Sequence, residues 1–356
     1  MKNLVLVILL VFVFVFVIVS CKPELTFEQK VDEIFSEFTP QTPGASVLIL
    51  QNNKVLLEKG YGLANLEQGI INEPKTNFRL ASITKQFTAL SIMLLENEGK
   101  LSFDDSLEKF FPSFPDYGKN ITVRQILQHT SGLVDYESCI DDSVTVQLKD
   151  QDVLDILMKQ DSTYFQPGTK HLYSNSGYAV LVMIIEKLSG KSFAKFLEER
   201  IFLPLKMNNS VAFENGISSV ENRAYGYANI DSEFVYTDQS LTSAVLGDGG
   251  IYSSVLDMAK WSLEIDKPTL LPKEKLSSAF TKLILPNGEV VNYGFGWRLD
   301  PYKNYERPYH TGSTSGFSNM FMKIPELNLT IIVLMNVRDY DAKGYAEKIT
   351  DLFIEN

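Results

Sequence analysis

The chain has 356 residues, enough to bury a large core as one big domain or two. A net charge of −11 and a pI near 4.9 set it against nucleic acid and anionic membrane surfaces, both of which attract basic proteins. Three histidines (His129, His171 and His310), none at a metal-ligand spacing, and two cysteines (Cys21 and Cys139) exclude a zinc ribbon and a disulfide framework, and nothing calls for a cofactor.

Lys2 precedes an unbroken apolar run from Leu4 to Val19, followed by Ser20 and Cys21. The run is short of the ~20 residues a spanning helix needs and suits a secretory signal. Ile18-Val19-Ser20-Cys21 resembles the lipobox of bacterial lipoproteins. That resemblance implies a signal peptide over 1–20, cleavage before Cys21, acylation of its thiol and a tether over 21–26. The body would then be a lipid-anchored protein of the bacterial cell envelope, outside the cytoplasm. Multiple acylation would anchor it stably, at about 0.8 kcal/mol per buried CH₂. Cys139 is left without an intramolecular partner and reads as a structural thiol, because no helix start or basic neighbour activates it.

Beyond the tether, Phe27, Val31, Ile34, Phe35 and Phe38 have helical spacing, which predicts a helix over 27–38, broken by Pro43-Gly44. Residues 45–50 and 54–61 read as a hairpin turning at Asn52-Asn53. Helices are expected over 79–96 (closed by Gly99), 123–128, 152–159, 177–188 and 193–202. Ser254-Val255-Leu256-Asp257 resembles a capping box opening a helix through Trp261. Strands are expected at 294–299, 317–324 and 330–336, and a last amphipathic helix over 342–353. Strands at both ends with helices between them suggest a discontinuous α/β domain over 27–355. Its α/β part would be 27–79 with 288–355, and its mostly helical part 80–287.

The stretch 79–96, RLASITKQFTALSIMLLE, carries one charge between its ends, Lys85. A helix apolar on nearly every side is a buried helix, and lysine is almost never buried unless something pairs with it. Ser82 lies three residues earlier, on the same side of the first turn. A serine hydroxyl is a poor nucleophile until a base takes its proton, and a desolvated lysine can be that base. The plainer alternative is a capping serine with a lysine that reaches to solvent. Spacing alone does not decide, since Ser106…Lys109 and Ser192…Lys195 fit the same pattern. Ser82, however, opens the most apolar helix of the chain. Farther on, Tyr173-Ser174-Asn175 forms a polar turn before an apolar helix, although Tyr227 and Tyr302 also begin Tyr-x-Asn triplets. Near the end stands His310-Thr311-Gly312-Ser313, the only His-x-Gly in the chain.

In that order and setting, the three triplets resemble those of the serine β-lactamase and penicillin-binding-protein superfamily, nearest to class C β-lactamases, D-amino-acid peptidases and related esterases. FRLASITKQFTALSIMLLENEGKLSFDD, ILQHTSGL, FQPGTKHLYSNSGYAVL and GDGGIYSSVLDMAKW look like stretches typical of this family. The resemblance implies an α/β fold, an antiparallel sheet flanked by helices with a mostly helical insertion. It also implies a serine hydrolase working through an acyl-enzyme. Ser82 would attack a carbonyl. Lys85 would keep Ser82 deprotonatable, and the Tyr173 phenol would lie within about 3 Å of both. Asn175 would bind the substrate's acyl side chain or amide. The backbone N–H groups of Ser82 and Ser313 would form the oxyanion hole, and Gly312 would let the strand approach the substrate. Many β-lactamases and penicillin-binding proteins carry lysine where this chain has His310, and members with His-x-Gly tend to be peptidases or esterases. His310 is therefore expected to line the substrate cleft and to titrate near neutral pH. An α/β-hydrolase is excluded, since the nearest Gly-x-Ser-x-Gly, 312–316, has Thr314 at the nucleophile position. The rival reading is a non-catalytic sensor of cell-wall peptides. Substrate, oligomeric state and the choice of Lys85 or Tyr173 as base stay open.

Overall fold

The computed structural model describes residues 24–354, so the lipobox and Cys21 lie outside the described residues. Thr26 opens α1 (Phe27–Ile34) with a capping box: its hydroxyl accepts from the Gln29 N–H, and Gln29 Oε1 accepts from the Thr26 N–H at 2.9 Å. The helix ends before Phe38. Phe35 instead stacks on Tyr61 with ring centroids 4.8 Å apart, and both Phe35 and Phe38 pack on Tyr345. Apolar spacing persisted past the helix because these two rings are buried, not because they are helical.

β1 (Ala45–Gln51) and β2 (Lys54–Tyr61) form the expected hairpin. Asn52 and Asn53 both take left-handed φ values, +52° and +61°, which a two-residue turn matching the strand twist requires. Three late strands complete an antiparallel sheet: β3 (Tyr309–Thr314), β4 (Phe317–Ile324) and β5 (Leu329–Met335), in the order β3-β4-β5-β1-β2. Every residue of β5 is buried. Its alternate side chains enter two different cores. Ile331, Val333 and Met335 pack on one face with Val31 of α1 and with Tyr345, Ala346 and Ile349 of the C-terminal helix (Ala342–Ile354). Ile332 and Leu334 pack on the other face with Phe87 and Trp261. That second core belongs to α2 (Thr84–Asn97), α3 (Asn175–Ser189) and α4 (Val255–Asp266). The C-terminal helix is α5.

Residues 294–299 are not a strand. Gly296 takes φ +78°, and a Cβ there would stand 2.6 Å from the Lys85 carbonyl oxygen; a Cβ on Gly294 would stand 1.9 Å from that of Ala279. The segment is a tight bend pressed against the start of α2, with isolated bridges Tyr293–Arg298 and Arg298–Tyr309. The edge strand is instead β3, the segment carrying His310 to Ser313. The capping box at Ser254 is half formed: Ser254 Oγ accepts from the Asp257 N–H at 3.2 Å, but the Asp257 carboxylate turns outward to the Asn209 N–H and Ser210 Oγ, both at 2.9 Å. The segment expected over 193–202 is helical to Leu197 and then widens into a π-turn over Glu198–Phe202.

Asn336, just past β5, is fully buried and joins distant loops. Its Oδ1 accepts from the Gly44 N–H at 2.8 Å, and its Nδ2 donates to the Leu63 carbonyl at 3.0 Å and the Tyr225 carbonyl at 2.9 Å. Asn336→Ala strands a buried donor and two acceptors, so it should destabilise by about 3 kcal/mol. The check is a lower urea midpoint at an unchanged m-value.

Candidate active site

Residues Phe78–Arg79 pair with Tyr252 and Ser253, and the Ile251 carbonyl accepts from the Leu80 N–H at 2.8 Å, which fixes the approach to α2. Ala81 takes φ +50° and begins a 3₁₀ turn, Ala81–Ile83, that presents Ser82 before α2 continues. Ser82 is therefore not a capping serine, and no side chain caps this helix start. Its hydroxyl sits at the positive end of a 14-residue helix, where developing negative charge is favoured. The other two Ser-x-x-Lys matches resolve differently. Ser192 Oγ accepts the Lys195 backbone N–H as an N-cap, and Lys109 Nζ pairs with Asp105.

Lys85 is fully buried. Its Nζ lies 3.2 Å from Ser82 Oγ, 2.9 Å from Asn175 Oδ1 and 2.9 Å from the Asp248 carbonyl oxygen. Asn175 is held at both ends, since its Nδ2 donates to Glu137 Oε1 at 3.1 Å. Ser82, Asn175 and Ser313 line one small cavity of about 70 Å³, together with Arg79, Tyr136, Glu137, Thr242, Asp248, Gly249 and Thr314. Gly312 lets β3 close on the Ser82 turn: a Cβ there would stand 2.0 Å from the Leu80 carbonyl oxygen, so only glycine fits.

Two expected positions need correction. Tyr173 Oη makes no hydrogen bond to Ser82 or Lys85; it is a buried hydroxyl without a partner. The reason is that Nζ of Lys85 is already engaged three times. Tyr173 offers it a ring face, with the centroid 4.9 Å from Nζ. His310 is 1 % exposed and faces inward, not into the cavity. Its Nδ1 donates to the Thr311 carbonyl at 2.7 Å, which leaves Nε2 to accept from the Tyr293 hydroxyl at 3.0 Å. Burial above all, then the charges of Arg298 and Lys85, hold the imidazole well below its ordinary pKa. His310 is thus neutral throughout the neutral range and contributes no inflection there. All three histidines of the chain meet around Tyr293, with ring centroids 4.5 Å away for His129, 6.0 Å for His171 and 5.8 Å for His310, and the Tyr173 ring lies 4.3 Å from that of His129.

Arg79, Glu137 and Asp248 were not singled out from the sequence. The one available signal was an aspartate inside the glycine-rich turn Gly247-Asp248-Gly249-Gly250. Arg79 donates to the carbonyls of Gly249 at 3.1 Å and Ser243 at 2.7 Å. The Tyr136 hydroxyl donates to Asp248 Oδ2 at 3.2 Å. Burial pushes the Asp248 carboxyl up to about 6, against the pull of Lys85 and Arg79. The folded protein therefore holds this proton more tightly than the unfolded chain does. The stability this group contributes is full below its unfolded pKa of about 4 and is lost as pH rises through about 6. Asp248→Asn, which keeps an acceptor for Tyr136, should remove a loss on the order of 2 kcal/mol. Urea titrations of both proteins at pH 4 and pH 7 measure it.

The family model described as Beta-lactamase matches residues 27–352. Penicillin-binding protein 4* of Bacillus subtilis (strain 168) is 34% identical over 307 residues, 82% of this chain and 67% of that protein. Protein flp of Staphylococcus aureus (strain MRSA252) is 28% identical over 320 residues, 87% of this chain and 63% of that protein. The chain thus spans about two thirds of the length of these relatives. The octameric penicillin-binding protein homologue from Pyrococcus abyssi superposes with a TM-score of 0.81 at 30% identity, covering 93% of this chain and 77% of that one. D-amino acid amidase from Ochrobactrum anthropi SV3, complexed with L-phenylalanine amide, shares the fold, with a TM-score of 0.79 at 22% identity over 92% of this chain and 99% of that one. An antiparallel sheet flanked by helices, with a serine–lysine pair at the start of its buried helix, matched by family over nearly all the described residues, places this chain in the β-lactamase family.

Proposed function

We propose that the protein is a serine hydrolase that forms an acyl-enzyme on Ser82 and acts on a D-aminoacyl peptide, amide or ester in preference to a β-lactam. The contact between Ser82 Oγ and the enclosed Lys85 Nζ carries this reading. Asn175 Oδ1 and the Asp248 carbonyl can only accept, whereas the Ser82 hydroxyl can donate or accept. The same three contacts therefore suit an ammonium that donates three times or an amine that donates twice and takes the serine proton. Ser82 Oγ would then attack the substrate carbonyl, and the backbone N–H groups of Ser82 and Ser313 would hold the oxyanion. The proton held on Lys85 would go to the leaving amine or alcohol. Water would release the acyl group by the reverse path.

The preference for a peptide or ester rests on charge. A β-lactam carries a carboxylate that its hydrolases meet with a cation. Here His310 is buried and neutral, and Glu137 and Asp248 present carboxylates to the cavity. Arg79 is committed to the two carbonyls of the 243–249 segment.

The test is intact-mass analysis after incubation with a chromogenic ester, a D-aminoacyl amide and a cephalosporin. Wild-type protein should gain an acyl group on Ser82 and turn over the first two substrates faster. Ser82→Ala should lose at least ~10³-fold in turnover while unfolding at the same temperature. A protein that binds these ligands and never acquires the adduct is a sensor and not an enzyme.

The lipobox resemblance of Ile18-Val19-Ser20-Cys21 supports a second proposal, anchoring of the cell-envelope protein through an acylated Cys21. Cys21→Ser should abolish labelling by a fatty-acid analogue and move the protein out of membrane fractions. Equal labelling of both forms would end that proposal.

A further inference from the structure

The short helix Val123–Leu127 ends in an unusual residue. The His129 N–H donates to the Ile126 carbonyl at 3.1 Å and the Thr130 N–H to that of Gln125 at 2.7 Å, which forces His129 into the left-handed region at φ +56°. Glycine or asparagine usually fills that place. A bulky ring held there is a strain that persists only where its surroundings over-determine it, and such strain gathers at functional sites.

His129 holds the backbone N–H groups of the two residues on either side of Tyr173. Its backbone carbonyl accepts from the Leu172 N–H at 2.9 Å, and its Nδ1 accepts from the Ser174 N–H at 3.1 Å. Its ring lies against the Tyr173 ring, with centroids 4.3 Å apart and planes at 42°. The imidazole is fully buried, and that burial, with the charge of Lys85, keeps it neutral, as an accepting Nδ1 requires. Tyr173 needs this grip, since its own hydroxyl has no partner to hold it. The residue after it, Ser174, caps α3 through the Gly177 N–H, and the next, Asn175, reaches Lys85.

We infer that His129 is a positioning residue: through its carbonyl and Nδ1 it clamps the backbone on both sides of Tyr173, and so sets the phenol and Asn175 against Lys85. The inference rests on the serine-hydrolase reading and assigns His129 no contact with substrate.

Two substitutions separate the clamp from mere filling of space. Asparagine tolerates left-handed φ and places Oδ1 where Nδ1 stands, whereas glutamine places its acceptor where Nε2 stands, out of reach of Ser174. Both lose the ring, and glutamine also tolerates left-handed φ less well, so both unfolding temperatures should fall, and acylation and exchange are compared well below them. Single-turnover acylation of Ser82 by a chromogenic ester should fall on the order of 10²-fold in His129→Gln, with KM within a few-fold of wild type. His129→Asn should recover most of that rate. Hydrogen exchange of the segment 172–175, followed by mass spectrometry, reads the clamp without activity: the glutamine variant should exchange faster and the asparagine variant like wild type. Equal acylation and equal exchange in the two variants, or rates that simply follow unfolding temperature, overturn the inference. Wild-type protein that never acylates overturns the hydrolase reading instead, while the exchange pattern still decides whether His129 clamps Tyr173.

Discussion

The molecule is organised around one costly act, the burial of the Lys85 nitrogen. A cation removed from water needs acceptors at every donor position, and here they come from three places: Ser82 from the same helix turn, Asn175 from the start of α3 and the Asp248 carbonyl from a glycine-rich turn. Each acceptor is itself held. Glu137 takes the far end of Asn175, and the Gly247 carbonyl beside Asp248 accepts from Thr88 Oγ1 at 2.8 Å, one turn further along α2. Satisfying one ammonium thus draws two remote segments onto the front of α2.

The sheet supplies the frame. β5 separates two cores, and the core on its inner face contains the helix that carries Ser82 and Lys85. Close backbone contact sets the distances. Gly312 admits the Leu80 carbonyl and Gly296 that of Lys85, where a Cβ would stand 2.0 Å and 2.6 Å from the oxygen.

Legibility followed the kind of interaction. Ser82 and Lys85 touch because they are three apart on one turn, and such a contact is written in covalent spacing. The Asn52-Asn53 turn and the strand at 330–336 were equally plain, since both follow from local rules. The bend at 294–299 was not. Tyr293, Phe295, Trp297 and Leu299 alternate as in a strand and are all buried, yet the glycines between them turn the chain against Ala279 and Lys85. The orientation of His310 depends on strand register, which its sequence neighbours do not reveal: His310 is buried, Gly312 abuts the Leu80 carbonyl, and only the strand's end, Ser313 and Thr314, lines the cavity. His129 and Asp248 lie in stretches that resemble the family, but their contacts were not legible, because a backbone carbonyl or a ring nitrogen that meets a segment 45 or more residues away leaves no local pattern.

Housing Ser82 and Lys85 on a single rigid turn has a mechanical consequence. Asn175, Asp248 and Ser313 arrive on other elements, so any breathing between the sheet and the helices changes the width of the cleft and the company that Lys85 keeps. It does not change the three-residue spacing of nucleophile and lysine along one continuous turn, which keeps Ser82 Oγ within reach of Nζ, at 3.2 Å here. A fold built this way can reshape the loops that select its substrate and keep the reactive pair together, because no loop separates those two residues in the chain.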